Sequence, residues 1–267
     1  MRALRRRDRS GEMPLIHHLR ELRRRLTIAA VAWLIATAVT WQFYDPIFRF
    51  LKRPLVTALV HSHRHDVVLA MAGVAEPFTL QLQVVAIAAV IAVSPIWLFQ
   101  LWGFISPGLH RRERLWTWVF VSVSVPLFLG GVVLAYMLLP QALRLLFGFT
   151  PVGVSNIIPV ATYITFVTRM FLVFGLAFLL PVVVVVIHSA GLISAVTLRS
   201  WWRQILVGAL LFAAVATPTS DPINMLLLAV PMMVITFAAI GVCSLRERRK
   251  RPSEAEVLSD DEASHLS

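Results

Sequence analysis

Several carboxylates stand among arginines in this 267-residue chain, Glu21 and Glu113 among them. Glu21 lies within His18-Leu19-Arg20-Glu21-Leu22-Arg23-Arg24-Arg25, and Glu113 lies between Arg112 and Arg114. A carboxylate accepts two parallel hydrogen bonds from a guanidinium, and such charge-assisted bonds are roughly twice as strong as neutral ones. Glu21 and Glu113 are therefore candidate acceptors for a cationic ligand, although neighbouring arginines compete for them. His61-Ser62-His63-Arg64-His65-Asp66 holds residue types that ligate transition metals. Its alternate spacing around an arginine fits no helical or strand site, so a solvated loop is expected there and no metal. Arg169 stands inside an apolar run, where it either snorkels to the interface or acts as an intramembrane charge. Asp221 sits in Thr217-Pro218-Thr219-Ser220-Asp221-Pro222, placed to cap a helix. His188 is isolated near the end of an apolar run, and no Gly-x-Ser-x-Gly elbow, His-Glu-x-x-His pair or pair of membrane aspartates occurs. No catalytic residue can be nominated, so an enzyme is not expected, and no cofactor is implied. The single Cys243 permits neither an internal disulfide nor a cysteine metal site.

The elements that carry these residues are set by composition. Hydrophobic residues make up 58% and charged residues 15% of the chain, against roughly 25% charged in soluble domains, and the mean hydropathy is +0.77. The expected fold is an all-α polytopic membrane protein with six transmembrane helices, the last two short. Residues 1–25 form a basic arm whose Leu15, His18, Leu19, Leu22 and Leu26 recur at helical spacing, suiting an amphipathic helix on an anionic leaflet. Residues 26–245 form the membrane domain, with spans near 26–43, 84–102, 116–139, 163–187, 202–216 and 223–242. Residues 246–267, basic and then acidic, form a disordered tail. The first span is too long for a secretory signal core, and no small-residue cleavage site follows it.

Between spans, residues 44–83 read as a long loop with short amphipathic helices. It ends at Glu76-Pro77-Phe78, where proline suits the first turn of the next helix. Pro95 implies a kink, Pro126 with Gly130-Gly131 a bend, and Pro140 to Ala161 a loop. From Ile205 to Ala216 a helix reaches only about 18 Å at about 1.5 Å per residue, short of a roughly 30 Å hydrocarbon core. The net charge of +11 does not point to nucleic acid, because the basic residues flank apolar runs. Nineteen Lys and Arg fall on one face in the six-span arrangement and five on the other, with Arg169 inside the membrane. That asymmetry places both termini in the cytosol. A solute transporter would want internal repeats and several mid-membrane polar groups, and neither is evident.

The arm ending His18-Leu19-Arg20-Glu21-Leu22-Arg23-Arg24-Arg25-Leu26, and the hinge Gln100-Leu101-Trp102-Gly103-Phe104-Ile105-Ser106-Pro107-Gly108-Leu109 with Arg112-Glu113-Arg114, resemble the TatC family over roughly Met13 to Leu245. Those proteins are the multi-spanning receptors of the twin-arginine protein translocase. The resemblance implies recognition of twin-arginine signal peptides on folded cargo at the bacterial cytoplasmic (inner) membrane. It also implies single-span TatA and TatB partners, self-association in a receptor complex, and use of the proton-motive force. It maps signal-peptide binding onto Phe104, Glu113, Glu21 and Leu19. Glu76, Pro77 and Asp221 match family positions on the external side. Leu179 departs from the family, which usually has a glutamate two residues before the proline at Pro181. That residue is linked to docking of the TatA and TatB helices, leaving Thr165, Thr168 and Arg169 as nearby polar groups.

Overall fold

The computed structural model describes residues 15–62, 67–71, 73–105, 114–151, 154, 156–189, 193, 195–216, 225–226 and 229–245. Helix α1 (Leu15–Thr40) is a single unbroken helix. No glycine or proline interrupts its Leu-, Ala- and Arg-rich sequence, so nothing turns the amphipathic arm away from the apolar run that follows. Arm and first apolar run are one rod of about 39 Å. A short 3-10 turn (Trp41–Phe43) leads into α2 (Tyr44–Ser62), the amphipathic helix expected after the first span.

Pro54 inside α2 has no N–H to offer the Phe50 carbonyl. The Tyr136 hydroxyl donates to that oxygen at 3.2 Å, and the Tyr163 hydroxyl donates to the neighbouring Leu51 carbonyl at 2.6 Å. Two tyrosines from other helices thus satisfy the backbone where the proline disturbs it.

Helix α3 (Glu76–Ala92) has its proline in the first turn, as its sequence predicts, and meets α4 (Ser94–Ile105) at a 59° bend. Pro95 cannot donate to the preceding turn, and Val93 leaves helical geometry at φ −90°, ψ 13°. Across the bend the Trp97 indole donates to the Val90 carbonyl at 3.1 Å. Helix α5 (Arg114–Gly148) is 35 residues long and continues through both Pro126 and Pro140. The loop expected from Pro140 is therefore helical as far as Gly148. Trp102 Nε1 donates to the buried Ser124 hydroxyl at 2.7 Å, tying α4 to α5.

Helix α6 (Val160–Ala177) packs along α5. A Cβ on Gly131 would stand 2.5 Å from the Phe174 carbonyl oxygen, and one on Gly175 would stand 2.5 Å from the Phe128 ring. The two helices approach this closely because glycine faces the partner helix at both places. A turn at Phe178 and Leu179 separates α6 from α7 (Leu180–Ser189). Then come α8 (Ala195–Ser200), α9 (Trp202–Ala216) and α10 (Ala229–Leu245).

Two strands absent from the sequence reading, β1 (Val67–Ala70) and β2 (Asn156–Pro159), pair in parallel with Val67 opposite Asn156 and Ala70 opposite Pro159. They join the segment after α2 to the segment before α6. Among the described residues, three helical runs are long and apolar enough to cross a bilayer: His18–Val60, Trp118–Gly148 and Val160–Ser189. The bent α3–α4 pair passes the same test as a unit, and α9 and α10 are two shorter apolar helices.

Candidate functional site

The start of α1 lies against the end of α4. Farther along α1, Trp33 Nε1 donates to the Ala86 carbonyl of α3 at 3.0 Å, so α1 runs antiparallel to the α3–α4 pair. That packing brings residues 18–29 beside residues 97–104. The His18 ring stacks on the Phe104 ring at 4.4 Å between centroids and 24° between planes. One turn on, Glu21 Oε1 accepts hydrogen bonds from Arg25 Nε at 3.0 Å and Arg25 Nη2 at 2.7 Å.

The Arg25 guanidinium rests on Gly103. A Cβ at that position would collide with Nη1 and stand 2.9 Å from Cζ. Only a glycine leaves room for this charge against the α4 backbone. Beside it is a cavity of about 210 Å³, lined by Arg25 together with Leu22, Leu26, Trp97, Leu101 and Phe104. Leu19 is 62% exposed and Leu26 66% exposed. The end of the bundle thus presents a carboxylate with its own arginine partner, a stacked aromatic pair and an open apolar face. Chemically it suits a ligand with a guanidinium and an apolar segment.

Of the residues singled out from sequence, Glu21, Leu19 and Phe104 fall at this junction. Glu113 and Asp221 lie outside the described residues, as do His63, His65 and Asp66. Glu76 and Pro77 are elsewhere, at the start of α3. Glu76 Oε2 accepts from the Gly73 amide at 3.1 Å, and Oε1 accepts from the Ala161 amide at 3.3 Å. The second bond caps α6, whose preceding residue is Pro159 and whose first turn has no side-chain cap of its own. Arg169 is exposed on α6, and among the described residues it has no ion pair. Leu179 is buried in the α6–α7 turn, and Thr165 accepts a 3.0 Å hydrogen bond from Gln83 of α3.

His18, Arg25 and Gly103 belong to the junction but were not singled out from sequence. The four-residue spacing of Glu21 and Arg25 on a helix was the available signal for the ion pair. Gly103 gave none, because its role depends on a side chain 78 positions away.

Fold and site together define a polytopic helical membrane protein that gathers a carboxylate, basic groups and exposed apolar side chains at one end of its bundle. The family model for Sec-independent protein translocase protein (TatC) matches residues 17–231. A Sec-independent protein translocase protein TatC from Frankia casuarinae is 42% identical, over 96% of this chain and 73% of its own length. The protein of that name from Aquifex aeolicus is 32% identical, over 90% of this chain and 98% of its own. A crystal structure of the twin-arginine translocase receptor TatC in the detergent DDM superposes with a TM-score of 0.71 at 32% identity, covering 85% of this chain and 99% of that one. The chain belongs to the TatC family and is a component of a Sec-independent protein translocase.

Proposed function

We propose that this chain is the receptor subunit of a twin-arginine translocase in the bacterial cytoplasmic membrane, with both termini in the cytosol. It recognises signal peptides with paired arginines on folded cargo and works with TatA and TatB, driven by the proton-motive force. It carries no catalytic step of its own. The observation that carries this reading is the Glu21–Arg25 pair seated on Gly103 beside Phe104, in a chain of this family.

Exposure and chemistry favour exchange at that pair. Its side chains are 23% and 28% exposed, so an incoming guanidinium still reaches the pair, and exchange replaces one carboxylate–guanidinium pair with another. An incoming guanidinium can therefore replace Arg25 on Glu21 at little cost, while a second arginine of the signal pairs with Glu113. Leu19, Leu22 and Leu26 offer an apolar surface to the segment that follows the arginines. The excess of basic residues on the arm's side supports the cytosolic placement of this junction.

Fluorescence anisotropy with a labelled arginine-pair signal peptide and the full chain in nanodiscs tests the assignment. Charge-assisted hydrogen bonds contribute about 1.5–3 kcal/mol, so Glu21→Gln is expected to weaken binding roughly tenfold or more. Glu21→Gln with Glu113→Gln should bring it to the level of a lysine-pair peptide. Undiminished affinity in the double variant removes these carboxylates from the site.

A further inference from the structure

A second concavity lies apart from the α1–α4 junction, against α2. It is a cavity of about 410 Å³ bounded by α2, α3, α5 and α6, with Phe50, Ile87, Ile91, Val132, Tyr136 and Met137 among its lining residues. No charged residue lines it. Phe50 and Tyr136 form one wall, stacked at 4.3 Å between centroids and 3° between planes. The volume falls within the roughly 300–1,000 Å³ of small-ligand sites. A hydrocarbon chain matches both the size and the apolar lining.

The charge beside it is unusual for its side of the membrane. Basic residues are depleted on the side opposite the arm, yet Arg49, Lys52 and Arg53 fall within five positions of α2. All three are exposed, and among the described residues none has a carboxylate partner. At about 100° per residue they share one face of α2, and Arg53 is only about 60° round the helix from Phe50. The Arg53 charge also acts on the Tyr136 hydroxyl, within the cavity wall. A cationic group thus stands at the edge of an apolar cavity, beneath an amphipathic helix. That is the arrangement by which basic sites between membrane helices hold lipid phosphates.

We propose that this cavity and the basic face of α2 form a binding site for an anionic phospholipid, its acyl chain in the cavity and its phosphate on Arg53, with Arg49 and Lys52 adding attraction. The lipid belongs to the leaflet on the side opposite the arm.

The test uses the full chain in phosphatidylcholine vesicles doped with phosphatidylglycerol carrying a photoreactive group near the end of its acyl chain, and in matched vesicles doped with photoreactive phosphatidylcholine. Peptide mapping after irradiation reads the labelled residues. Phosphatidylglycerol is expected to label residues 87–92 and 132–137 several-fold more than phosphatidylcholine. Unlabelled phosphatidylglycerol should compete, and soluble glycerol phosphate should not. In Arg49→Gln/Lys52→Gln/Arg53→Gln, whose changes are all at exposed positions, the preference should fall to near unity while labelling by phosphatidylcholine persists. Equal labelling by the two lipids in the unaltered chain overturns the proposal, as does a preference unchanged in the triple variant. Competition by glycerol phosphate would mean a free-anion site. Absence of cavity labelling by either lipid, because protein fills the groove, would also overturn it.

Discussion

At Gly103 a single hydrogen atom in place of a methyl group decides where a charge sits. The nearest atoms to a Cβ at this position are the tip of the Arg25 side chain, which can swing aside without moving either helix. Gly103→Ala is therefore expected to leave thermal unfolding almost unchanged, while stripping Glu21 of its resident partner. A competitor worth about 0.5–1 kcal/mol is removed, so the arginine-pair peptide should bind roughly two- to fivefold more tightly in an anisotropy titration. Unchanged affinity would show that Arg25 does not compete for Glu21. Chemistry at this scale was half legible in the sequence. Glu21 could be nominated because a carboxylate among arginines is a local pattern, and the four-residue spacing to Arg25 was readable on a helix. The seat of that arginine on Gly103 was not, because it depends on the α1–α4 packing.

Helices α5 and α6 depend on a different kind of glycine contact. At Gly131 the obstacle is the Phe174 backbone carbonyl rather than a movable side-chain tip. Gly131→Ala must push the helices apart, and overpacking of this kind costs about 1–3 kcal/mol. A fall in the midpoint of thermal unfolding several degrees larger than for Gly103→Ala is expected, and equal effects would contradict the close approach. Local signals also explain what was legible among the elements. Pro77 at a helix start and Pro95 at a bend follow from the missing N–H. Pro140 misled, because a proline does not always end a long apolar helix, and α5 continues through it to Gly148. The β1–β2 pair joins residues 89 positions apart, and its short apolar runs look no different from more membrane sequence. The Glu76 cap on α6 is equally non-local.

Across the whole molecule, the described stretches of α9, 15 residues, and of α10, Ala229–Leu245, reach about 22 and 25 Å at about 1.5 Å per residue. Both fall short of a roughly 30 Å hydrocarbon core, and a bilayer adapts to short helices by thinning. In the proposed receptor, thinning beside the cargo would lower the cost of moving a folded domain. Inserting one leucine-rich turn into each helix is therefore expected to cut export of a folded reporter several-fold with signal-peptide binding intact. Normal export would remove thinning from the mechanism. The helical, multi-span architecture was the most legible part of the sequence, because apolar runs respond to the bilayer and not to distant partners. The unbroken α1 is the exception, since the boundary placed at residue 26 marks a change of solvent rather than of backbone.

The central claim is that the junction of α1 and α4 receives paired arginines. Site-specific photo-crosslinking from Phe104 and Glu113 in native membranes tests it most directly, with a folded cargo precursor carrying its arginine pair or a lysine pair. Crosslinks to the arginine precursor that disappear with the lysine precursor are the predicted result. Equal crosslinking of both precursors, or none in membranes that still export the cargo, would contradict it.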